Sequence, residues 1–288
     1  GRQREQPGGE AGRMIRNTSD GDSGAPSLRC YLNLMSLEGA PADFEAIAEA
    51  GYEGVQFVAP ATAKQQSACA RWGLGKASLG RVNAPADADL LAARFRDEGV
   101  ECGTLHIGWG MEDDAEADRL IDAVLAASER YGIPLYVETH RATIFQDLWR
   151  TVQFVVKFPE LRFNGDFSHW YTGLEMVYGG FENKLRYIQP VIERVRFVHG
   201  RIGNPGCIQV DIGEGDTETQ PFVEHFRTMW TQSFAAFLRN AAAGDYILFV
   251  PELLSPRIYY GHESDRWAQS LVLRRIAREC FTLARELR

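Results

Sequence analysis

Pro134-Leu-Tyr-Val-Glu138 is a short apolar run that ends on a carboxylate. Such a run, bounded by turn and helix signals, reads as a strand buried on both faces, and a charge at its C-terminal end is costly unless paired or metal-bound. The same arrangement recurs three times downstream: Leu161-Arg-Phe-Asn-Gly precedes Asp166, Val195-Arg-Phe-Val precedes His199, and Ile247-Leu-Phe-Val-Pro precedes Glu252. Four acidic or imidazole groups placed alike, one after another, point to one shared site.

Outward from these runs, strand-like and helix-like segments alternate from Leu28 onward, the pattern of a parallel sheet with crossover helices. Strands are expected at 29–34, 54–58, 76–82, 101–107, 135–139, 161–166, 195–201 and 247–252, with helices at 41–50, 86–98, 115–131, 145–157, 181–193, 222–242 and 265–287. Eight strands make an α/β fold of the (β/α)8 TIM-barrel type. The third βα unit is the weak one: its strand is short and glycine-flanked, and its loss would leave an irregular barrel. Asp113 or Asp114 is placed to cap a helix, and Gly99 and Gly132 follow helical runs where a left-handed residue ends them. Gly-Leu-Gly-Lys at 73–76 lacks the full spacing of a phosphate loop and reads as a tight connection.

A chain of 288 residues with this pattern is expected to form one barrel domain over 28–288. Residues 1–27 are rich in Gly, Arg, Gln, Ser and Asp, bury too little apolar surface to offset ordering entropy, and read as a flexible N-terminal tail. A formal net charge of −8 gives no general attraction to nucleic acid or to an anionic membrane surface. No apolar stretch approaches a membrane span, and the five scattered cysteines form no C-x-x-C pair, so a reducing, cytoplasmic location is expected.

In a parallel barrel the C-terminal strand ends converge on one mouth, where catalytic groups sit. Counting back by two from each polar residue gives Tyr136, Asn164, Phe197 and Val250, so the face that carries the polar group at the top carries mostly bulky fillers beneath it. Three carboxylates and an imidazole gathered there suit one divalent cation such as Mn²⁺, Mg²⁺, Co²⁺ or Zn²⁺, which relieves their mutual repulsion. A cation that holds a carbonyl and an adjacent hydroxyl oxygen lowers the cost of removing the proton between them, and two carboxylates can remove and return that proton through an enediolate.

The order Glu, Asp, His, Glu on strands five to eight, the Asp166-Phe-Ser-His169 spacing, and His199-Gly-Arg201 resemble the xylose isomerase-like TIM-barrel superfamily of sugar isomerases and epimerases, over about 29–285. The resemblance implies that Glu138, Asp166, His199 and Glu252 are metal ligands, that Glu138 and Glu252 also exchange protons with substrate carbon, and that His169 and Arg201 contact substrate. The expected activity is a divalent-metal-dependent isomerase or epimerase of a small polyhydroxylated carbonyl compound. Dehydratases of inositol-like ketones and lyases of keto-glycosides share the chemistry; a phosphodiester endonuclease or a noncatalytic sugar-binding barrel is the remoter alternative.

Further substrate contacts are expected around the mouth. His106 ends the fourth strand, His140 lies two residues past Glu138 on the inward face while Arg141 points away, Trp170 offers a wall for a sugar ring, and Arg201 brings a planar fork. Arg257 follows Glu252 closely and, with Tyr259 and Tyr260, could form a lid or the contact of a homo-oligomer. The acidic stretch 211–216 is either a solvated loop or the source of another ligand. Against all of this stands a purely structural reading, in which Arg141, Arg162, Arg196 or Arg257 simply neutralise the four groups at the rim.

Overall fold

Eight parallel strands pair edge to edge and close into a ring, so each apolar run buries one face inside the barrel and the other beneath helices. The computed structural model describes residues 15–19, 23–38, 43–260 and 265–287. In chain order its elements are β1 (Ser27–Asn33), α1 (Phe44–Glu49), β2 (Gly54–Phe57), α2 (Ala63–Trp72), β3 (Gly75–Val82), α3 (Pro85–Asp97), β4 (Cys102–Ile107), α4 (Asp114–Tyr131) and β5 (Leu135–Glu138). There follow α5 (Leu148–Lys157), β6 (Phe163–Gly165), α6 (Phe167–Gly173), α7 (Phe181–Tyr187), α8 (Gln189–Ile192), β7 (Val195–Gly200), α9 (Pro221–Asn240), β8 (Tyr246–Pro251) and α10 (Arg266–Glu286). Pairing of β1 with both β2 and β8 closes the cylinder.

The third unit, expected to be irregular, carries the longest strand of the ring, and β3 pairs without interruption with β2 and β4. Its glycines serve packing: a Cβ on Gly75 would lie 2.1 Å from the Tyr31 hydroxyl. The irregularity falls at β6 instead, which is three residues long and shifts register against β7 between Phe163 and Asn164. The extra residue at that shift is Arg196 of β7, between Val195, paired with Phe163, and Phe197, paired with Asn164. Helix α2, absent from the sequence expectation, starts with a capping box in which Thr62 and Gln65 exchange side-chain-to-backbone bonds. Asp113 caps α4 in the same way with Glu116, and Gly132 ends that helix at φ 62°.

Inside the ring, Tyr31, Ala77, Cys102, Tyr136, Phe197, Tyr246, Leu248 and Val250 form a buried cluster of their own. Three of the four residues found by counting back from the polar strand ends belong to it, and the fourth, Asn164, is a buried polar residue. Outside, Trp230 of α9 meets Phe249 of β8 edge-on at 4.9 Å, and Phe234 bridges Phe249 to Phe281 of α10. The barrel interior is thus filled below the mouth, and polar groups lie on a rigid floor.

Residues 15–19, which composition alone assigns to a tail, pack against the opposite end of the barrel. Asn17 is buried there, accepts from the Tyr136 hydroxyl (2.6 Å) and donates to the Tyr246 hydroxyl (3.1 Å), while Thr18 bridges to Asp245. Tyr31 and Tyr246 also donate to Glu101, so the floor is sealed by a satisfied polar network.

Candidate active site

Glu138 is the last residue of β5, His199 lies near the end of β7, and Asp166 and Glu252 follow β6 and β8 by one residue. One ligand atom from each of the four lies within 4.8 Å of all the others, and all four residues are buried. His199 organises them. Its Nδ1 faces Glu252 Oε2 at 3.1 Å, Glu138 Oε1 at 3.3 Å and Asp166 Oδ2 at 3.5 Å, while its Nε2 lies 2.8 Å from Gln56 Oε1. An amide carbonyl can only accept, so Gln56 fixes a proton on Nε2, and the Nδ1 lone pair of the ring, once neutral, is aimed among the carboxylates.

Neutral polar residues that sequence reasoning missed hold this arrangement. Asn33 of β1 donates to Glu252 (3.2 Å) and to Gln56 (2.9 Å), Gln56 donates to Thr104 (3.0 Å), and Asn164 accepts the His199 backbone N–H (3.0 Å). Their signal in the sequence was a polar side chain at an inward position of an otherwise apolar strand, as in Gly54-Val-Gln-Phe57. Every one of them is fully buried.

Arg201 is the single arginine that pairs with the cluster among the described residues. Its Nη2 donates to Asp166 Oδ2 (2.7 Å) and to His169 Nε2 (2.9 Å), its Nε donates to Ser168 (3.1 Å), and its buried Nη1 has no partner. Since Arg201 can only donate, His169 Nε2 is the accepting nitrogen and its proton sits on Nδ1, which is also buried without a partner. His106 Nε2 lies 2.8 Å from Glu138 Oε2, and the His140 ring, tilted against both, has its centroid 4.0 Å from those of His106 and His169. The expected contacts His106, His140, His169 and Arg201 therefore converge on the four candidate ligands.

Two expected contacts do not. Trp170 has no exposed surface and donates its indole N–H to the Phe145 carbonyl (2.9 Å), so it belongs to the core and offers no wall to a sugar. Arg257 is exposed on a 3-10 turn and pairs with Glu38. The acidic stretch 211–216 also stays outside: Asp216 accepts from the Glu218 backbone and the Thr219 hydroxyl, and Asp211 from the Gly213 backbone.

Electrostatics follow from burial and neighbours. Burial alone would raise the Glu138 carboxyl, but the imidazoles of His106 and His199 outweigh it and hold the group well below the usual carboxylate range. For Asp166 burial is likewise overcome, by Arg201 and then His169. At Glu252 burial wins over the pull of His199 and Arg201, so its carboxyl is raised. Burial disfavours a charged His199, yet Glu252 and Glu138 carry it well above the ordinary value, whereas burial pushes His140 down to about 3.

The donor set fits a divalent cation. Three buried carboxylates against one guanidinium leave two negative charges uncompensated when His199 is neutral, which is the charge of one such ion. Three oxygens and one imidazole nitrogen suit hard to borderline metals and do not single one out.

No protein-family model matches the chain, and no curated protein matches it in sequence. Solved structures match its fold. A xylose isomerase-like TIM-barrel protein of Mycobacterium smegmatis, solved in complex with magnesium, superposes with TM-score 0.57 at 13% identity, over 89% of this chain and 97% of that one. A xylose isomerase domain protein of Planctomyces limnophilus gives 0.54 at 15% identity, over 91% and 98%. The probable 3-DHS dehydratase AsbF of Bacillus anthracis, involved in petrobactin synthesis, gives 0.52 at 13% identity, over 88% and 97%. The chain has the xylose isomerase-like TIM-barrel fold, with a buried His/Asp/Glu cluster able to coordinate a divalent ion at the mouth.

Proposed function

We propose that the protein is a divalent-metal-dependent isomerase or epimerase of a small polyhydroxylated carbonyl compound. Glu138, Asp166, His199 and Glu252 would hold one cation, which supplies polarisation of the substrate carbonyl and so acidifies the neighbouring C–H. The observation that carries this reading is the meeting of those four groups within 4.8 Å, with Glu138 and Glu252 rising from walls three strands apart in an eight-stranded ring. Carboxylates on different walls can serve different faces of one carbon: one takes the proton and the other returns it. Return to the opposite face inverts the centre, and return to the adjacent carbon moves the carbonyl. The unpartnered N–H groups of Arg201 Nη1 and His169 Nδ1 supply donors for the oxygen on which enediolate charge develops.

One feature favours a second reading, dehydration or lyase chemistry on an inosose or keto-glycoside. Elimination needs a proton for the leaving oxygen that simple epimerisation does not, and His106, 2.8 Å from Glu138, is placed to carry it: burial lowers its pKa, but Glu138 outweighs that and raises it. The Bacillus anthracis neighbour described as a probable dehydratase shares the fold at 13% identity and supports this reading no further than that.

The test is incubation of Mn²⁺-loaded protein with ketoses, inososes and keto-glycosides in D₂O, with deuterium uptake and product mass followed together. Uptake at unchanged carbon skeleton is the expected result. Loss of water or aglycone establishes the second reading, and absence of both exchange and elimination across the panel overturns catalysis at this site.

A further inference from the structure

Resting on that reading of the site, we propose that the substrate carries an anionic group, a carboxylate or phosphate, received at the mouth by Arg81, Arg141 and Arg201. Arg201 is buried with three of its donor positions directed at Asp166, His169 and Ser168, and its Nη1 carries N–H groups with no protein acceptor. A half-buried Tyr260 joins it to Arg141, an exposed residue that strand alternation alone directs away from the mouth: the ring centroid is 5.4 Å from the Arg201 guanidinium carbon and 5.8 Å from that of Arg141, and Arg141 Nη2 donates to the Tyr260 hydroxyl (3.2 Å). The tyrosine hydroxyl satisfies one donor of Arg141 and neutralises none of its charge.

Arg81 approaches from the other side. It stands in β3 in register with His106 of β4, so both side chains leave the same face of the sheet, and His106 touches Glu138. Its guanidinium carbon lies over Trp109, 3.6 Å from the ring centroid, with one nitrogen bonded to the Gly108 carbonyl (2.6 Å). Glu112 acts on it electrostatically but lies beyond ion-pair distance, and its carboxylate accepts from the backbone N–H groups of Trp109 and Gly110. Neither Arg81 nor Arg141 forms an ion pair among the described residues.

The charge distribution gives this a reason. Carboxylates outnumber basic side chains over the whole molecule, and the net charge is −8, yet these two mouth arginines are left unpaired. Two negative charges of the inner cluster match one divalent ion, so with that ion bound the cluster has no charge left to balance the mouth arginines, and Glu112 stays near Arg81 without forming an ion pair. A neutral sugar would leave them so, whereas a carboxylate or phosphate is matched by the planar fork of a guanidinium. Stacking on Trp109 holds Arg81 in place before a ligand arrives, which lowers the ordering cost of binding.

Calorimetric titration of the Mn²⁺-loaded full chain with glucose, glucuronate and glucose 6-phosphate tests this, since the three share a ring and differ in the anionic group. Glucuronate or glucose 6-phosphate is expected to bind at least about tenfold tighter than glucose, each charged hydrogen bond being worth roughly that factor. Whichever of the two binds tighter identifies the anionic class. Arg81→Gln and Arg141→Gln should each remove most of that preference while glucose binding stays the same, and Arg81→Lys and Arg141→Lys should restore part of it. Because these arginines hold no candidate metal ligand, loss of the preference in them also separates the arginines from chelation of the anion by the ion. Equal binding of all three probes, or a preference that survives both glutamine variants, overturns the proposal. The catalytic reading fails separately: deuterium exchange with neutral ketoses alone sustains it and sinks the anionic substrate, whereas anion preference without any exchange or elimination does the reverse.

Discussion

His199 is where proton and metal compete. In the metal-free protein Glu252 and Glu138 raise its pKa well above 6.5, so it is protonated at neutral pH, and a metal ligand must be neutral. Ion binding must therefore expel that proton. Apparent affinity should fall as pH drops and rise as pH climbs through the raised value, by up to about tenfold per pH unit for one proton displaced. Titration calorimetry in two buffers of different ionisation enthalpy checks the sign: proton release is expected, and proton uptake contradicts it. At the same scale, Glu252→Gln keeps the shape of the side chain and removes its basicity. Deuterium exchange should drop by at least about 100-fold with an unchanged circular dichroism spectrum, and wild-type exchange in the variant would remove Glu252 from the chemistry.

The four candidate ligands were legible because a strand end is a strong positional signal: each sits at or one residue beyond an apolar run, and the barrel turns all such ends toward one mouth. Trp170 misled for an equally local reason. The chain after Asp166 is the helix α6, where successive side chains diverge by about 100°, so His169 faces the ligands while Trp170 turns into the core. Asn33, Gln56 and Thr104 escaped notice because neutral polar side chains in short strands carry no charge pattern. Their importance appears only when the ring closes and brings β1, β2 and β4 to the imidazole.

Elements act here by fixing side chains they do not share chemistry with. β2 contributes one polar inward residue to the cluster, Gln56, and through it sets the tautomer of a histidine on β7. Gln56→Leu fills the same space without the acceptor, leaving the His199 Nε2–H unpaired and the ring free to rotate. Divalent-metal affinity should weaken about 10- to 100-fold, read by competition with a fluorescent chelator; unchanged affinity would show that the ring needs no such anchor. The short β6 ends one residue before Asp166, beside its register shift against β7. The sequence run 161–166 suggested a full strand there; the observed strand has three residues, and the register shift beside it, with Arg196 as the extra residue on β7, is one that no periodicity announces.

Across the whole molecule the two ends of the barrel divide labour. The mouth concentrates unspent polar groups, while the floor is closed by Asn17, Tyr136, Tyr246, Tyr31 and Glu101, linked in one hydrogen-bonded chain. The floor was not legible because the stretch around Asn17 looks like polar tail, and its value lies in a single buried amide met by two distant tyrosines. Asn17→Leu should cost about 1–3 kcal/mol of stability in urea unfolding without altering metal affinity; a matching loss of metal binding would mean that floor and mouth are coupled. No described helix is long and apolar enough to cross a membrane.

The most direct measurement is diffraction from crystals grown with Mn²⁺, collected on both sides of the manganese absorption edge. One anomalous peak per chain is expected, bonded to Glu138, Asp166, His199 Nδ1 and Glu252. A map with no peak at the mouth, or a peak that leaves His199 and the three carboxylates in their metal-free contacts, would contradict the claim that this cluster is a metal centre.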